Sequence, residues 1–121
     1  MTKTIGIIGS RNKNTSIYYE KILDELEKIF EEGDKIVSGG CPKGGDRFAE
    51  EIAKTYGLTI IIHYPDWNQH GRKAGFVRNT KIAKDVDVLI AVVSDDRIGG
   101  TEDTIKKYLQ FGKKDLIEIR L

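Results

Sequence analysis

Seven cationic side chains, Arg11, Lys43, Arg47, Arg72, Lys73, Arg78 and Arg97, fall on or beside segments rich in glycine and polar residues. Cations gathered with glycine turns suit a phosphate-bearing ligand, because guanidinium groups pair with phosphate oxygens and open backbone N–H groups add further donors. The densest such segment is V-S-G-G-C-P-K-G-G-D-R, residues 37–47. Gly39, Gly40, Gly44 and Gly45 lack a Cβ, so the chain can turn tightly with its N–H groups outward. Asp46 suits a helix N-cap, and a helix dipole there would add to the attraction for an anion. The alternative is a tight strand-to-helix connection whose glycines serve packing only. Arg11 and Arg78 have neighbours suited to a ligand, Ser10 and Asn79, whereas Lys43, Lys73 and Arg97 taken singly read as solvated surface charges. Arg78 has no acid at i±3 or i±4 to claim it, so it is expected to bind phosphate rather than to brace the loop by pairing with Asp46 or Asp66. Trp67 offers either a ring for a base to stack on or a loop anchor packed on the core.

The familiar nucleotide signatures do not match. The first strand runs into G-I-I-G-S-R rather than G-x-G-x-x-G, and no acid follows the second strand where a ribose-binding residue belongs. The loop at 37–47 lacks the G-K-[ST] ending of a P-loop. These departures argue against a nicotinamide enzyme and an NTPase. His63 and His70 are the only histidines and have no partners at metal-ligand spacing, so no metal is expected. Cys41 lies where open N–H groups can lower a thiol pKa, but no base adjoins it in sequence, which favours an inert loop cysteine.

These residues need elements to position them. Residues 4–8 read as a near-continuously apolar central strand. Thr15 or Ser16 caps a helix whose Tyr19, Ile22, Leu23, Leu26, Ile29 and Phe30 form an apolar stripe, with Gly33 as its stop. A strand at 35–38, a helix at 47–56 ended by Gly57, and a strand at 58–63 follow. Residues 64–73 are polar and aperiodic, a longer βα connection than is usual and of the kind that carries function. A helix over about 74–84, a strand at 86–93, a helix to about Phe111 and a strand at 115–119 complete the chain. Alternation of this kind predicts a parallel, doubly wound α/β sheet with right-handed crossovers. The first four strands end in 9–11, 38–45, 64–72 and 94–101, all glycine-rich or polar, while the opposite connections are short. The unusual chemistry thus gathers at the carboxyl edge, where such sheets bind ligands.

Composition narrows the classes. The chain has 121 residues and a hydrophobic fraction of 39%, enough for one domain with a real core. Twenty Lys and Arg against nineteen Asp and Glu give a net charge of +1, without the basic excess of a general nucleic-acid binder. No apolar stretch reaches membrane-spanning length, and residues 1–3 lead directly into a strand without a signal peptide. The single cysteine precludes an internal disulfide and fits a cytoplasmic location.

The set G-S-R (9–11), S-G-G-x(4)-G-D-R (38–47), D-W-x-x-H-G (66–71), A-G-x-x-R-N (74–79) and G-G-T (99–101) resembles the YspA-like (DUF2493) branch of the SLOG superfamily, over nearly the whole chain. The resemblance implies one SLOG-like Rossmannoid domain over residues 1–121. It also implies a three-layer α/β/α sandwich of about five strands in the order 3-2-1-4-5, with a pocket for a nucleotide or nucleotide-derived molecule. Carried over by motif, Gly9, Ser10 and Arg11 match the first loop and Gly39, Gly40 and Asp46 the second. Arg78 and Asn79 match the helix motif, and Gly99, Gly100 and Thr101 the phosphate-side turn. Ser38, Gly44, Arg47 and Trp67 complete the candidate ligand-binding set. The chain departs from the pattern at Cys41-Pro42-Lys43-Gly44-Gly45, where a shorter run such as A-x-G-A is expected. It departs again where LOG-type phosphoribohydrolases resemble P-G-G-x-G-T-x-x-E: here Thr104 stands at the glutamate position, and the acids are Glu102 and Asp103.

Two functions follow as expectations. One is a module that senses, carries or sequesters a nucleotide-derived molecule. The other is an enzyme cleaving a nucleotide N-glycosidic bond, with Asp46, Glu102 or Asp103 activating water. No cofactor or metal is required by either. A homodimer or higher homo-oligomer is expected, because the helix at 72–84 carries Phe76, Val77 and Ile82 on more than one side and related SLOG proteins form dimers.

Overall fold

The computed structural model describes residues 2–121; Met1, part of the expected lead-in 1–3 and of the domain expected over 1–121, lies outside them. Strand β1 (Thr4–Gly9) is followed by helix α1 (Ser16–Ile29), β2 (Lys35–Ser38), α2 (Gly45–Tyr56) and β3 (Ile60–Ile62). A short helix α3 (Trp67–His70) and a 3-10 turn (Gly71–Lys73) lead into α4 (Ala74–Asp85). Then come β4 (Val88–Val92), α5 (Gly100–Gln110) and β5 (Leu116–Ile119). All neighbouring strands pair in parallel, in the order β3-β2-β1-β4-β5. The protein is an α/β, Rossmann-like sheet with helices on both faces. Among the described residues, no helix is long and apolar enough to cross a membrane.

Strand residues alternate between two cores because successive side chains point to opposite faces. Ile5, Ile7, Ile36, Ile90 and Val92 pack beneath α1 and α2 with Ile22, Leu26, Phe48 and Ile52. Ile8, Val37, Leu89, Ala91 and Val93 pack beneath α4 and α5 with Ile82, Ile105 and Tyr108. Both faces of β4 are covered, and all five of its residues are buried.

Local details differ from the pattern read in the sequence. Asp46 is not an N-cap: α2 begins earlier, Gly44 holds that position without a side-chain cap, and Asp46 lies in the first turn. The cause is the contact of Gly44 and Gly45 with the end of β1. A Cβ on Gly45 would collide with the Ile8 carbonyl group and lie 2.5 Å from the Gly9 nitrogen. One on Gly44, whose φ is +77°, would press on the Ser10 carbonyl. Helix α1 starts behind Thr15, which makes no side-chain cap bond, and stops at Ile29 with Phe30 already extended, short of Gly33. β3 shrinks to Ile60–Ile62. The connection at 64–73 is partly helical, because Asp66 caps α3 by accepting the Gln69 N–H at 3.1 Å.

At the opposite edge a buried carboxylate ties the turn before β2 to the start of β1. Asp34 accepts from the Lys3 N–H (2.8 Å), the Lys3 Nζ (2.6 Å) and the Glu31 N–H (2.9 Å). Burial alone would raise its pKa, but these hydrogen bonds outweigh burial and hold it below the ordinary carboxylate range. A lowered folded pKa means stability that is present at neutral pH and lost as acid protonates the group. Asp34→Ala is expected to cost about 3 kcal/mol at neutral pH, with a smaller deficit in acid. Urea unfolding at several pH values checks this, and a pH-independent deficit would refute it.

Candidate functional site

The strand order reverses between β1 and β4, whose Gly9 and Val92 are paired at the carboxyl edge. A cleft opens there. Its inner chamber, about 420 Å³, lies between the segment after β1 and the turn entering α5, with Asp46, Arg78 and Asn79 in its wall. Its outer chamber, about 800 Å³, is bounded by Gly39 to Pro42, Tyr64, Trp67, Arg72 and Phe76. Arg11, Cys41, Arg78, Asn79, Gly99 and Gly100 belong to both walls.

Three N–H groups of the glycine loop after β2 are turned inward to protein acceptors, which limits the loop as an anion cradle. Gly40 donates to Ser38 Oγ (3.3 Å), Cys41 to Asp46 Oδ2 (3.2 Å) and Gly44 to Asn14 Oδ1 (2.8 Å). Further open donors lie across the cleft at the start of α5. Among the described residues no acceptor takes the N–H of Gly100 or Thr101, as the first turn of a helix leaves them. The Arg11 guanidinium likewise has no protein acceptor among the described residues.

Arg78 binds within the protein as well as lining both chambers. Its Nη1 donates to the Gly39 carbonyl and its Nε to Asn79 Oδ1 (2.9 Å). Asn79 Nδ2 in turn donates to Asp103 Oδ2 (3.1 Å) and the Gly100 carbonyl (3.3 Å), and Lys107 Nζ completes the chain to Asp103 Oδ2 (2.8 Å). This path joins the loop after β2, the start of α4 and the first turn of α5. The contrast between a binding and a bracing Arg78 therefore dissolves, since the geometry has it brace the loop from inside the cleft wall.

Asp46 is 7% exposed and lies at the inner chamber. Burial raises its pKa to about 6, against the lowering effects of the Cys41 N–H, the Arg78 charge and the Gly39 N–H; Glu50 adds a smaller upward push. Of the three acids offered for water activation, it alone among the described residues is in a cleft wall. Glu102 is held by Arg97 at 2.8 Å, and Asp103 by Asn79 and Lys107.

The other expected site residues divide. Gly9, Ser10, Arg11, Asn79, Gly99, Gly100 and Thr101 line the inner chamber, and Gly39, Gly40 and Trp67 the outer. Trp67 is 59% exposed, so it is not an anchor buried in the core. Ser38 is buried and donates to the Asp46 carbonyl at 3.1 Å, a supporting position. Gly44 serves the contact with β1. Arg47 turns away to Asn14 (3.2 Å), Glu51 (3.0 Å) and the face of Phe48. Arg97 pairs with Glu102 and Glu118. His63 Nε2 lies 2.8 Å from Asp85 Oδ2, and no cluster that would hold a metal occurs among the described residues. Asn12, Ile98, Tyr64 and Phe76 enter the cleft unannounced by any motif; for Tyr64 and Phe76 the signal available was aromatic residues flanking the long polar connection.

The chain is 33% identical over 92 residues to the Gene 61 protein of Mycobacterium phage D29, covering 70% of this chain and 72% of that protein. It belongs to that protein's family. No family model matches the chain, and no solved structure matches it.

The raised pKa of Asp46 has a signed consequence. As pH rises, the unfolded chain releases this proton near its ordinary value of 3.8, the folded chain only near 6. Between those values the group withdraws stability, up to about 3 kcal/mol, and the deficit is complete above them. Asp46→Asn keeps an oxygen for the Cys41 N–H and has no proton to lose. The stability of the variant relative to the wild type should therefore rise across that interval and level off at neutral pH. Urea unfolding at a series of pH values measures it, and a difference that does not change with pH would count against a carboxyl group opposed by its burial.

Proposed function

We propose that the protein binds a nucleotide or nucleotide-derived small molecule in this cleft, so as to sense, carry or sequester it. The observation that supports the reading is the meeting of Arg11, Arg78 and the open first-turn N–H groups of α5 in a chamber that continues into one walled by Tyr64, Trp67 and Phe76. Donors and cations suit phosphate, and exposed rings suit the face of a base. The motif resemblance to the YspA-like branch of the SLOG superfamily points the same way. In this reading no cofactor is needed and the protein works in the cytoplasm. It works as a homodimer or higher homo-oligomer, with Phe76 exposed on α4 while Ile82 of the same helix packs in the core. A monomer mass by light scattering at high concentration would remove the oligomer from the proposal.

A second reading, hydrolysis of a nucleotide N-glycosidic bond, draws on Asp46, a carboxyl at the chamber with a pKa near 6. Such a group can take a proton from water at neutral pH. Incubation with ribonucleotides separates the two: intact ligand with a stoichiometric thermal shift supports binding alone, and free base released with turnover supports hydrolysis. Arg11→Ala tests the shared phosphate site without disturbing the bracing chain of Arg78. Its melting temperature should stay near that of the wild type while nucleotide affinity falls about tenfold or more. Unchanged affinity would remove Arg11 from the site.

A further inference from the structure

Resting on the nucleotide reading, we propose that Asp46 accepts a hydrogen bond from a ribose hydroxyl of the ligand and so makes the cleft selective for ribonucleotides over their deoxy counterparts. In doubly wound sheets an acid at the carboxyl end of the second strand serves the ribose, and in this chain no acid follows β2 directly. Folding returns one to that place from the first turn of α2. Ser38, the last residue of β2, donates its hydroxyl to the Asp46 backbone carbonyl at 3.1 Å, and the carboxylate itself packs against Gly39, just past that strand, where a Cβ would lie 2.8 Å from Asp46 Oδ2.

The surroundings leave Asp46 with acceptor capacity. A carboxylate offers about four lone-pair sites. One is used by the Cys41 N–H at 3.2 Å, and the nearby Gly39 N–H favours the ionised form further. Two of the five N–H groups of the Arg78 guanidinium beside it go to the Gly39 carbonyl and to Asn79, and none to this carboxylate. A buried carboxylate facing a chamber favours a neutral donor there and repels a phosphate oxygen. The cleft is thereby polarised: phosphate is drawn toward Arg11 and the start of α5, and the hydroxyl-bearing side of the sugar toward Asp46.

The test is calorimetric titration of the wild-type protein with the 5′-mono- and diphosphates of the four common ribonucleosides, and with their 2′-deoxy and 3′-deoxy forms. The expected result is that the tightest ribonucleotide loses about tenfold or more on removal of one hydroxyl. In Asp46→Asn that ratio should shrink at least about threefold, and in Asp46→Ala it should vanish, because a neutral amide is a weaker acceptor and a methyl group is none. Equal binding of ribo and deoxy forms by the wild type overturns the inference while leaving the nucleotide reading intact, and this comparison needs no variant to fold. A ribo preference that persists undiminished in both variants also overturns it, since another group then reads the hydroxyl. If no nucleotide binds the wild type, the nucleotide reading falls and this inference with it.

Discussion

The cleft exists because the first turn of α2 rests directly on the end of β1. Gly45 meets the Ile8 carbonyl and the Gly9 nitrogen, and any side chain at Gly45 would push the helix off the sheet. This backbone-on-backbone contact sets where α2 begins, and through it the position of Asp46. With the helix seated there, Asp46 comes into the chamber wall, the Ser38 hydroxyl reaches the Asp46 carbonyl, and the loop between them turns its Gly40 and Cys41 N–H groups onto nearby acceptors. The glycines after β2 are thus packing residues whose effect on the site is indirect.

Opposite this rigid wall the cleft is built from polar links. Arg78, Asn79, Asp103 and Lys107 form a continuous path from the Gly39 carbonyl to the first turn of α5. Each charge on the path has a partner, as burial at the cleft wall requires. The path joins the two sides of the chamber and, among the described residues, leaves the donors of Gly100 and Thr101 and the Arg11 guanidinium open. The cationic side, with Arg11 and the first-turn N–H groups of α5, and the acid at Asp46 then lie in one chamber, so the chamber is electrostatically polarised.

The outer chamber is of another character. Tyr64, Trp67 and Phe76 stay largely exposed although α3 and α4 are ordered around them. Asp66 caps α3, and the 3-10 turn delivers the chain straight into α4, so the rings project from short, well-defined elements rather than from a loose loop. Exposed rings on ordered backbone lose little freedom when a flat ligand stacks against them.

The alternation of apolar strands with amphipathic helices carries the sheet, its parallel sense and the edge at which the polar segments gather, because side-chain periodicity and short connections are properties of the chain itself. Arg11, Asn79 and the Gly99-Gly100-Thr101 turn were likewise legible, since each is a loop or helix-start residue whose backbone position follows from the element beside it. Side-chain direction was not. Arg47 sits at the expected edge yet pairs with Glu51, a partner at i+4 that the local rule applied to Arg78 would have flagged, and with Asn14, thirty-three residues earlier, which no local rule reaches; Glu102 is likewise taken by Arg97. The accounting of N–H groups was also hidden, because Gly44 donates to Asn14, thirty residues earlier. Only the tertiary structure brings Asp46 to the end of β2, since its place depends on how closely a helix in one layer can approach a strand in another, a distance set by the missing Cβ of Gly45 and by Ile8, far away in the chain.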